Sequence, residues 1–325
     1  MQRIQAIKDW LRPTIGDFEL APASEDASFR RYFRITFDGK SLIVMDAPPD
    51  KEDITPFIHI AQRLERQGLH VPHIHEIDLK QGFLLLSDLG STSYLAELSD
   101  ETVDTLYGDA LDALLKMQEA PVNELPPYNE ALLHREMELF REWFLGRHLG
   151  ESLDRMLNAR MELIYEDLIG SALSQPRVFV HRDYHSRNLM VCAENNPGIL
   201  DFQDAVIGPI TYDLVSLLRD CYIAWPRSRV EGWALAYRDR AVEAGLMNDC
   251  SDEQYLRWFD LMGVQRHLKA IGIFSRLNHR DGKPGYLNDI PRTLAYVHEV
   301  SSRHAETEEL YALIQDLGLT EKLRA

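Results

Sequence analysis

Two short polar segments carry the residue types that metal-dependent phosphoryl transfer requires. The first is the loop 181–188, which short apolar runs enter and leave, and the second is the segment 201–204, which follows another apolar run. These runs have the length of strands, so both polar segments are expected at strand ends. Phosphoryl transfer from ATP needs a carboxylate to accept the proton of the attacking hydroxyl, and oxygen ligands to hold Mg²⁺ against the phosphates. The spacing predicts Asp183 for the first role, and Asn188 and Asp201 for the second.

A polar turn is the alternative interpretation, in which Asp and Asn serve only as turn formers. A lone His-x-Asp would favour that alternative. The loop, however, has the sequence His-Arg-Asp-Tyr-His-Ser-Arg-Asn, which matches the kinase catalytic-loop pattern HRDxxxxN at every specified position. Asp201, Phe202 and Gln203 stand where protein kinases have Asp-Phe-Gly. The two motifs together predict a kinase that uses ATP and Mg²⁺.

The composition limits the class of partner. The chain has 325 residues, with 35 Lys and Arg against 52 Asp and Glu, a net charge of −17. This charge argues against nucleic acids and anionic membranes as partners and favours a cationic co-substrate. The three cysteines are far apart in the sequence, which supports neither a disulfide framework nor a zinc site. Charges near the N-terminus exclude the apolar core of a signal peptide, so a cytoplasmic location is predicted. None of these features indicates the oligomeric state.

Hydrophobic periodicity predicts an α+β, bilobal, protein-kinase-like fold. Alternating apolar residues between positions 18 and 47, with a turn at Asp38-Gly39, predict three antiparallel strands. From residue 100 onward the period is helical. Residues 1–88 are therefore predicted to form a small β-rich nucleotide-binding lobe, and residues 89–325 a mostly helical lobe with the catalytic loop and the substrate site. Adenine is expected at the hinge between them, near backbone groups of Ser87 and Leu89.

Three features of kinases are missing from the first lobe. The turn 24–31 contains no glycine, so Ala27 and Ser28 would have to be the small residues beside the phosphates. The third strand, residues 41–47, has no lysine for the phosphates. In the following helix, Phe57 and Ile58 stand around the position where a glutamate would pair with that lysine. We hypothesise that Arg30 or Arg31 supplies the missing positive charge. Two solvated arginines on a strand are the alternative.

Two helix starts are indicated in the second lobe. Asp213 begins an apolar helix predicted over residues 214–223. A carboxylate at that position would cap the helix, which is the favoured interpretation, or brace the catalytic loop. Ser251 and Gln254 form a capping box for a long helix that carries Arg266.

With these motifs placed, the chain resembles the aminoglycoside phosphotransferase family, which includes choline kinases and several sugar kinases. The catalytic loop with its second histidine, His185, is similar to that family's loop. The segment 199–205, followed by Gly208-Pro209 and Tyr212-Asp213-Leu214, is similar to its metal-binding segment. The resemblance implies that Asp183 is the base and that Asn188 and Asp201 are the metal ligands.

Within the family, the segments 28–34, 44–49 and 263–269 resemble those of bacterial amino-sugar kinases of peptidoglycan recycling. That resemblance implies phosphorylation of the anomeric C1 hydroxyl of N-acetylmuramate and N-acetylglucosamine. Arg219 and Arg266 are candidates for binding the lactyl carboxylate of N-acetylmuramate. The full set of substrate-binding candidates comprises His185, Gln203, Asp204, Arg219 and Arg266.

Two other functions stay open at this level. A kinase of a cationic small molecule, of the aminoglycoside or choline type, would agree with the net charge. A quaternary amine would need an aromatic cage, and core packing explains the nearby Tyr222 and Trp225 better. A catalytically weak nucleotide-binding module would agree with the missing lysine and glutamate, although the retained base and metal ligands argue against it.

Overall fold

The computed structural model describes residues 2–25 and 29–323. The chain forms two compact units, residues 1–110 with 187–204, and residues 111–186 with 205–325. Asn188 and Asp201 therefore belong to the first unit, and Asp183 to the second. Within the described ranges, no helix is both long enough and apolar enough to span a bilayer.

The first unit contains a five-stranded antiparallel sheet with the order β1-β2-β3-β5-β4. Asp38 and Gly39 both have positive φ, 46° and 72°, as a two-residue hairpin between β2 and β3 requires. The predicted three-stranded start of the sheet is thus confirmed. The strands are β1 (Glu19–Glu25), β2 (Arg31–Phe37), β3 (Lys40–Asp46), β4 (Ile74–Asp78) and β5 (Phe83–Ser87).

Alternation along the strands gives this sheet two different faces. Helix α1 (Gln2–Ile15) covers one face, where a buried cluster contains Ile7, Leu11, Phe33, Ile35, Val44, Phe83 and Leu85. The opposite face carries Tyr32, Arg34 and Ile43. Pro13 lies inside the last turn of helix α1. A proline there removes only one hydrogen bond near the helix end.

Short elements complete the first unit. Strands β7 (Leu189–Met190) and β8 (Gly198–Ile199) form a small hairpin, which residues 191–197 connect. Asn188 and Asp201 lie at the open end of this hairpin. The remaining elements that lie in or begin in this unit are α2 (Thr55–Arg66), α3 (Tyr94–Glu97) and α4 (Val103–Gln118).

The second unit is mostly helical, with one two-stranded sheet that holds the catalytic loop. This sheet pairs β6 (Arg177–Val180) with β9 (Val206–Pro209). The helices are α5 (Glu130–Leu139), continued by a π-helical segment (Phe140–His148), then α6 (Arg155–Leu173), α7 (Tyr212–Leu218), α8 (Arg227–Glu243), α9 (Asp252–Asp281), α10 (Ile290–Ser301), α11 (Glu308–Asp316) and α12 (Leu319–Lys322). The α+β prediction, with a β-rich N-terminal part and a helical C-terminal part, is confirmed.

Helix α9 is the central helix of the second unit. Its residues 259–269 are all buried, because other helices pack around it on every side. A Cβ at Gly272 would come within 2.3 Å of the backbone of Leu139, so glycine is required where α9 packs against α5. The Ser251 half of the predicted capping box is confirmed, since Ser251 accepts a hydrogen bond from the backbone N–H of Gln254 at 3.2 Å. This packing fixes the position of every side chain on the helix.

Candidate active site

A cavity of about 450 Å³ in the first unit brings together four residues predicted from the sequence. Ser87 and Leu89, from the segment after β5, line it together with Asn188 and Asp201. Strand residues from the exposed face of the sheet form another part of its wall. The predicted hinge residues and the predicted metal ligands thus share one cavity, which we call the nucleotide cavity.

Asp201 is the centre of an oxygen-rich cluster in this cavity. Asn188 donates a side-chain N–H to Asp201 Oδ2 at 3.3 Å, and Gln203 donates one to Oδ1 at 2.7 Å. The side-chain oxygen of Gln203 is buried without a donor among the described residues. Asp201 has φ +64°, a left-handed conformation that costs energy outside glycine and concentrates at functional sites. Amide and carboxylate oxygens are the ligands that Mg²⁺ prefers.

The arginines at the start of β2 lie elsewhere than predicted. Arg31 donates from Nε to Asp46 Oδ2 at 3.1 Å, and Arg3 of α1 donates to Oδ1 of the same carboxylate at 2.6 Å. Asp46 is completely buried, so this ion pair fastens α1 to the sheet. Neither Arg30 nor Arg31 is among the described residues that line the nucleotide cavity. Ser28 lies outside the described residues.

Arg34 of β2 and Arg187 of the loop 181–188 both line the nucleotide cavity, and neither was predicted there from the sequence. The guanidinium of Arg34 bonds both oxygens of Asp88 at 2.6 and 2.9 Å, and the carbonyl of Gly90 at 2.9 Å. Burial alone would raise the pKa of Asp88, but the hydrogen bond from Arg34 contributes to lowering it below its ordinary value. Arg34 therefore holds the segment 87–90 against β2.

An aromatic contact joins helix α2 to the residue that follows Asp201. The rings of Phe57, on α2, and Phe202, next to Asp201, are 4.8 Å apart between centroids. Both rings are buried. An apolar contact thus links α2 to the metal-binding segment, and it needs no compensating charge.

A second cavity, in the second unit, is lined by Asp183 together with His185, Arg266 and Lys269. We call it the acceptor cavity. His185 contacts the ring of Tyr222 edge-on, with centroids 5.3 Å apart. The structure thus brings three predicted residues together and adds Lys269, which the sequence analysis missed.

Positive charge keeps Asp183 ionised. Burial raises the pKa of a carboxyl group. Here Lys269, then His185 and Arg266, outweigh burial and hold the pKa of Asp183 at about 2. The backbone N–H of Asp183 also donates to Nδ1 of His181 at 3.2 Å, which orients the loop.

A buried ionic network supports the catalytic loop from behind. Glu136 lies 3.1 Å from Lys269 Nζ and accepts a hydrogen bond from Arg182 at 2.5 Å. Tyr128 donates to its other oxygen, and Lys269 also donates to the hydroxyl of Tyr212 at 3.0 Å. Burial would raise the pKa of Glu136, but Lys269 and Arg182 lower it below its ordinary value. Glu136 therefore stays ionised and holds both cations.

Asp213 braces the catalytic loop, and the favoured prediction that it caps helix α7 is wrong. The N-cap residue is Thr211. The two oxygens of Asp213 accept hydrogen bonds from the backbone N–H groups of His181 and Arg182, at 2.6 and 2.9 Å. Arg182 has φ +79°, so these bonds maintain a strained backbone. The helix also ends at Leu218, five residues earlier than expected.

Three substrate-binding candidates lie outside the acceptor cavity. Arg219 pairs with Glu299 at 2.7 Å and covers the ring of Tyr296 at 4.4 Å. Gln203 bonds Asp201 in the first unit, and Asp204 is exposed there. Of the predicted set, His185 and Arg266 therefore remain at the acceptor cavity.

Comparison with known proteins identifies the family. Residues 19–246 match the model of the phosphotransferase enzyme family. The chain belongs to this family. A protein of Pseudomonas putida is 48% identical over 97% of the chain and 96% of its own length, and one of Pseudomonas aeruginosa is 52% identical over 92% and 88%. Both are named N-acetylmuramate/N-acetylglucosamine kinase.

The fold of this phosphotransferase recurs in solved structures. The aminoglycoside phosphotransferase APH(2″)-IIa, in a ternary complex with streptomycin and ATP, has a TM-score of 0.59. It is 16% identical, and the match covers 93% of this chain and 97% of that one. The protein-kinase-like fold expected from the motifs is thus confirmed.

The brace at Asp213 leads to a first prediction for this phosphotransferase. Asp213→Asn keeps the shape of the side chain, but its amide has one acceptor oxygen instead of two. One of the two backbone N–H groups that Asp213 accepts from would therefore lose its acceptor. We expect kcat to fall by roughly 10- to 100-fold, the cost of one unsatisfied buried donor. The KM for ATP is expected to change little. Steady-state kinetics measure both, with the exposed Asp249→Asn as control.

The pH dependence of kcat provides a second measurement on the same variant. Burial raises the pKa of Asp213 to about 7, against the lowering effect of its two backbone hydrogen bonds. Above that pH the ionised carboxylate accepts both bonds more strongly, so kcat of the wild type is expected to rise as pH passes 7. Asp213→Asn is expected to lose this inflection. An unchanged kcat and an unchanged profile would show that Asp213 does not position the loop.

Proposed function

We propose that this phosphotransferase uses MgATP to phosphorylate the anomeric hydroxyl of N-acetylmuramate and N-acetylglucosamine. The main support is the near-full-length identity of 48% and 52% to two kinases named for these sugars. The reaction would supply sugar 1-phosphates for peptidoglycan recycling in the cytoplasm, where ATP is available. The first unit, residues 1–110 with 187–204, would bind the nucleotide, and the second unit would bind the sugar.

The nucleotide cavity has the groups that MgATP needs. Adenine would contact backbone groups of Ser87 and Leu89, which Arg34 holds in place through Asp88. Asn188 and Asp201 would bind Mg²⁺ through side-chain oxygens, and the buried oxygen of Gln203 would accept from water on that ion. The donor set fits a small, hard, hydrated cation. When bound, Mg²⁺ neutralises phosphate charge that otherwise opposes transfer.

Asp183 would orient the sugar hydroxyl and accept its proton. With a pKa of about 2, this carboxylate is ionised at every physiological pH, but it is a weak base. Phosphoryl transfer passes through a loose transition state, in which the hydroxyl loses its proton late. An anomeric hydroxyl is more acidic than other sugar hydroxyls, so a weak base suffices for it. The low pKa of Asp183 is thus compatible with the C1 hydroxyl as acceptor.

The charge of the acceptor cavity disfavours a cationic substrate. Arg266 and Lys269 both line it, and like charges in a buried site repel strongly. The guanidinium of Arg229 also covers Trp225, 5.4 Å from its ring centroid, so Trp225 is already engaged and does not favour a cage for a quaternary amine. These two observations argue against an aminoglycoside or choline as acceptor.

The product identifies the reaction. Purified protein with MgATP and either sugar is expected to form a sugar 1-phosphate, whose phosphorus NMR signal couples to the single proton H1. Kanamycin and choline serve as control acceptors and are expected to give no product. Coupling to the two C6 protons would reject the anomeric assignment. Turnover of kanamycin or choline without turnover of either sugar would reject the proposed function.

A further inference from the structure

Arg266 is a buried cation at the acceptor cavity with unused hydrogen-bonding capacity. Its Nη1 reaches Sγ of Cys221 at 3.8 Å, a weak acceptor, and its Nε is buried without a partner among the described residues. Asp183 and Asp220 contribute negative charge nearby, but Asp220 already accepts hydrogen bonds from the backbone and hydroxyl of Ser186. A buried donor without an acceptor is costly unless a ligand supplies one.

The other candidate cations are already used by the protein. Lys269 lies at the same cavity but is held by Glu136 and by the hydroxyl of Tyr212. Arg219 is paired with Glu299 and is not among the described residues that line the cavity. Arg266 and Lys269 both line the acceptor cavity in the described part of the chain, and Arg266 keeps more donors for an anion because Lys269 already contacts Glu136 and Tyr212.

We propose, building on the function proposed above, that Arg266 binds the lactyl carboxylate of N-acetylmuramate and sets the preference for acidic over neutral sugars. A guanidinium matches a carboxylate geometrically, since two parallel N–H groups meet two oxygens. The acidic sugar also needs a cation here, because its carboxylate enters a cavity that contains the ionised Asp183. N-acetylglucosamine has no carboxylate and cannot make this ion pair.

A different role for Arg266 would be contact with the phosphoryl group during transfer. That role would be shared by all acceptors, because the phosphoryl group is the same for each of them. The ratio of kcat/KM for N-acetylmuramate to kcat/KM for N-acetylglucosamine separates the two roles. This ratio also cancels any loss of correctly folded enzyme in a variant.

The test measures this ratio in Arg266→Met and Arg266→Lys. In Arg266→Met we expect the ratio to fall by roughly 10- to 100-fold, the range for one hydrogen bond to a charged group. Arg266→Lys is expected to retain part of the preference, because lysine keeps the charge but loses the planar fork. Arg219→Met is the matched control, since it also removes a buried arginine, but one that is paired with Glu299 and lies outside the acceptor cavity, and it is expected to leave the ratio unchanged.

A change in the substrate tests the same contact without any variant. The methyl ester of N-acetylmuramate lacks the negative charge, so the wild type is expected to prefer the acid and Arg266→Met to treat acid and ester alike. An unchanged ratio in Arg266→Met, an equal fall in Arg219→Met, or a wild type that does not distinguish acid from ester would overturn this proposal alone. A wild type inactive on both sugars would overturn the proposed function and this proposal with it.

Discussion

Asp183→Asn is expected to lower kcat by roughly 100- to 10,000-fold, the contribution of a positioned proton acceptor. The amide has nearly the same shape, but it cannot accept the hydroxyl proton, and its N–H₂ group can turn toward the acceptor. ATP affinity is expected to change little, because the nucleotide cavity is lined by residues of the other unit. A coupled assay of ADP release measures kcat, and isothermal titration measures ATP binding.

The role of Asp183 also predicts how kcat of the wild type depends on pH. The pKa of Asp183 is lowered, so its ionised form is present above about pH 2 and is lost only below it. The kcat of the wild type is therefore expected to show no inflection from Asp183 between neutral and mildly acidic pH. If Asp183→Asn kept about a tenth of wild-type kcat, less than the smallest expected loss, Asp183 would not be the proton acceptor.

The grouping of the candidate site residues could be predicted from sequence because their positions depend on short-range features. Asp183 and Asn188 lie in one eight-residue loop, and Asp201 follows the next strand. Strand ends and turns place such residues in a site largely without contacts to distant segments of the chain. Ser87 and Leu89 were likewise predicted from the end of one strand. The nucleotide cavity is lined by Ser87, Leu89, Asn188 and Asp201, whereas the acceptor cavity is lined by Asp183.

The alternation of side chains along β2 decides which of its two arginines lines the nucleotide cavity. Arg31 and Arg34 lie three residues apart on β2, so their side chains point to opposite faces of the sheet. Arg31 meets Asp46 and Arg34 meets Asp88, partners that are 15 and 54 residues away in sequence. The alternation of Phe33 and Ile35 as core residues does assign Arg34 to the other face. The period of two along a strand therefore predicts that Arg34 faces away from the core.

Long-range contacts also explain Asp213 and Lys269. Local propensity favours a cap for an acidic residue at a helix start, but Asp213 serves two backbone N–H groups more than thirty residues earlier. Lys269 lies in a stretch of α9 that is buried on all sides. A lysine and an arginine three residues apart among apolar neighbours mark a charged stripe on a core helix, which needs anionic partners. This charged stripe can be recognised in the sequence, but its anionic partner Glu136 cannot.

Asp201→Ala is expected to have the other large effect, on binding as well as on turnover. Asp201 supplies the negative charge among the predicted metal ligands and orders the amides of Asn188 and Gln203 around itself. MgATP affinity is expected to fall by at least the roughly 10- to 100-fold that loss of a supporting residue costs a metal site. Asn188→Ala removes a neutral ligand and is expected to cost less.

Titration with and without the metal distinguishes a lost ligand from a damaged cavity. Isothermal titration with MgATP is expected to show the loss in Asp201→Ala, whereas ATP with excess EDTA is expected to bind the variant about as well as it binds the wild type. Equal weakening under both conditions would mean that Asp201 maintains the cavity instead of binding Mg²⁺. Wild-type affinity for MgATP in Asp201→Ala would remove it from the metal site, and with it the assignment of residues 201–204 as the metal-binding segment.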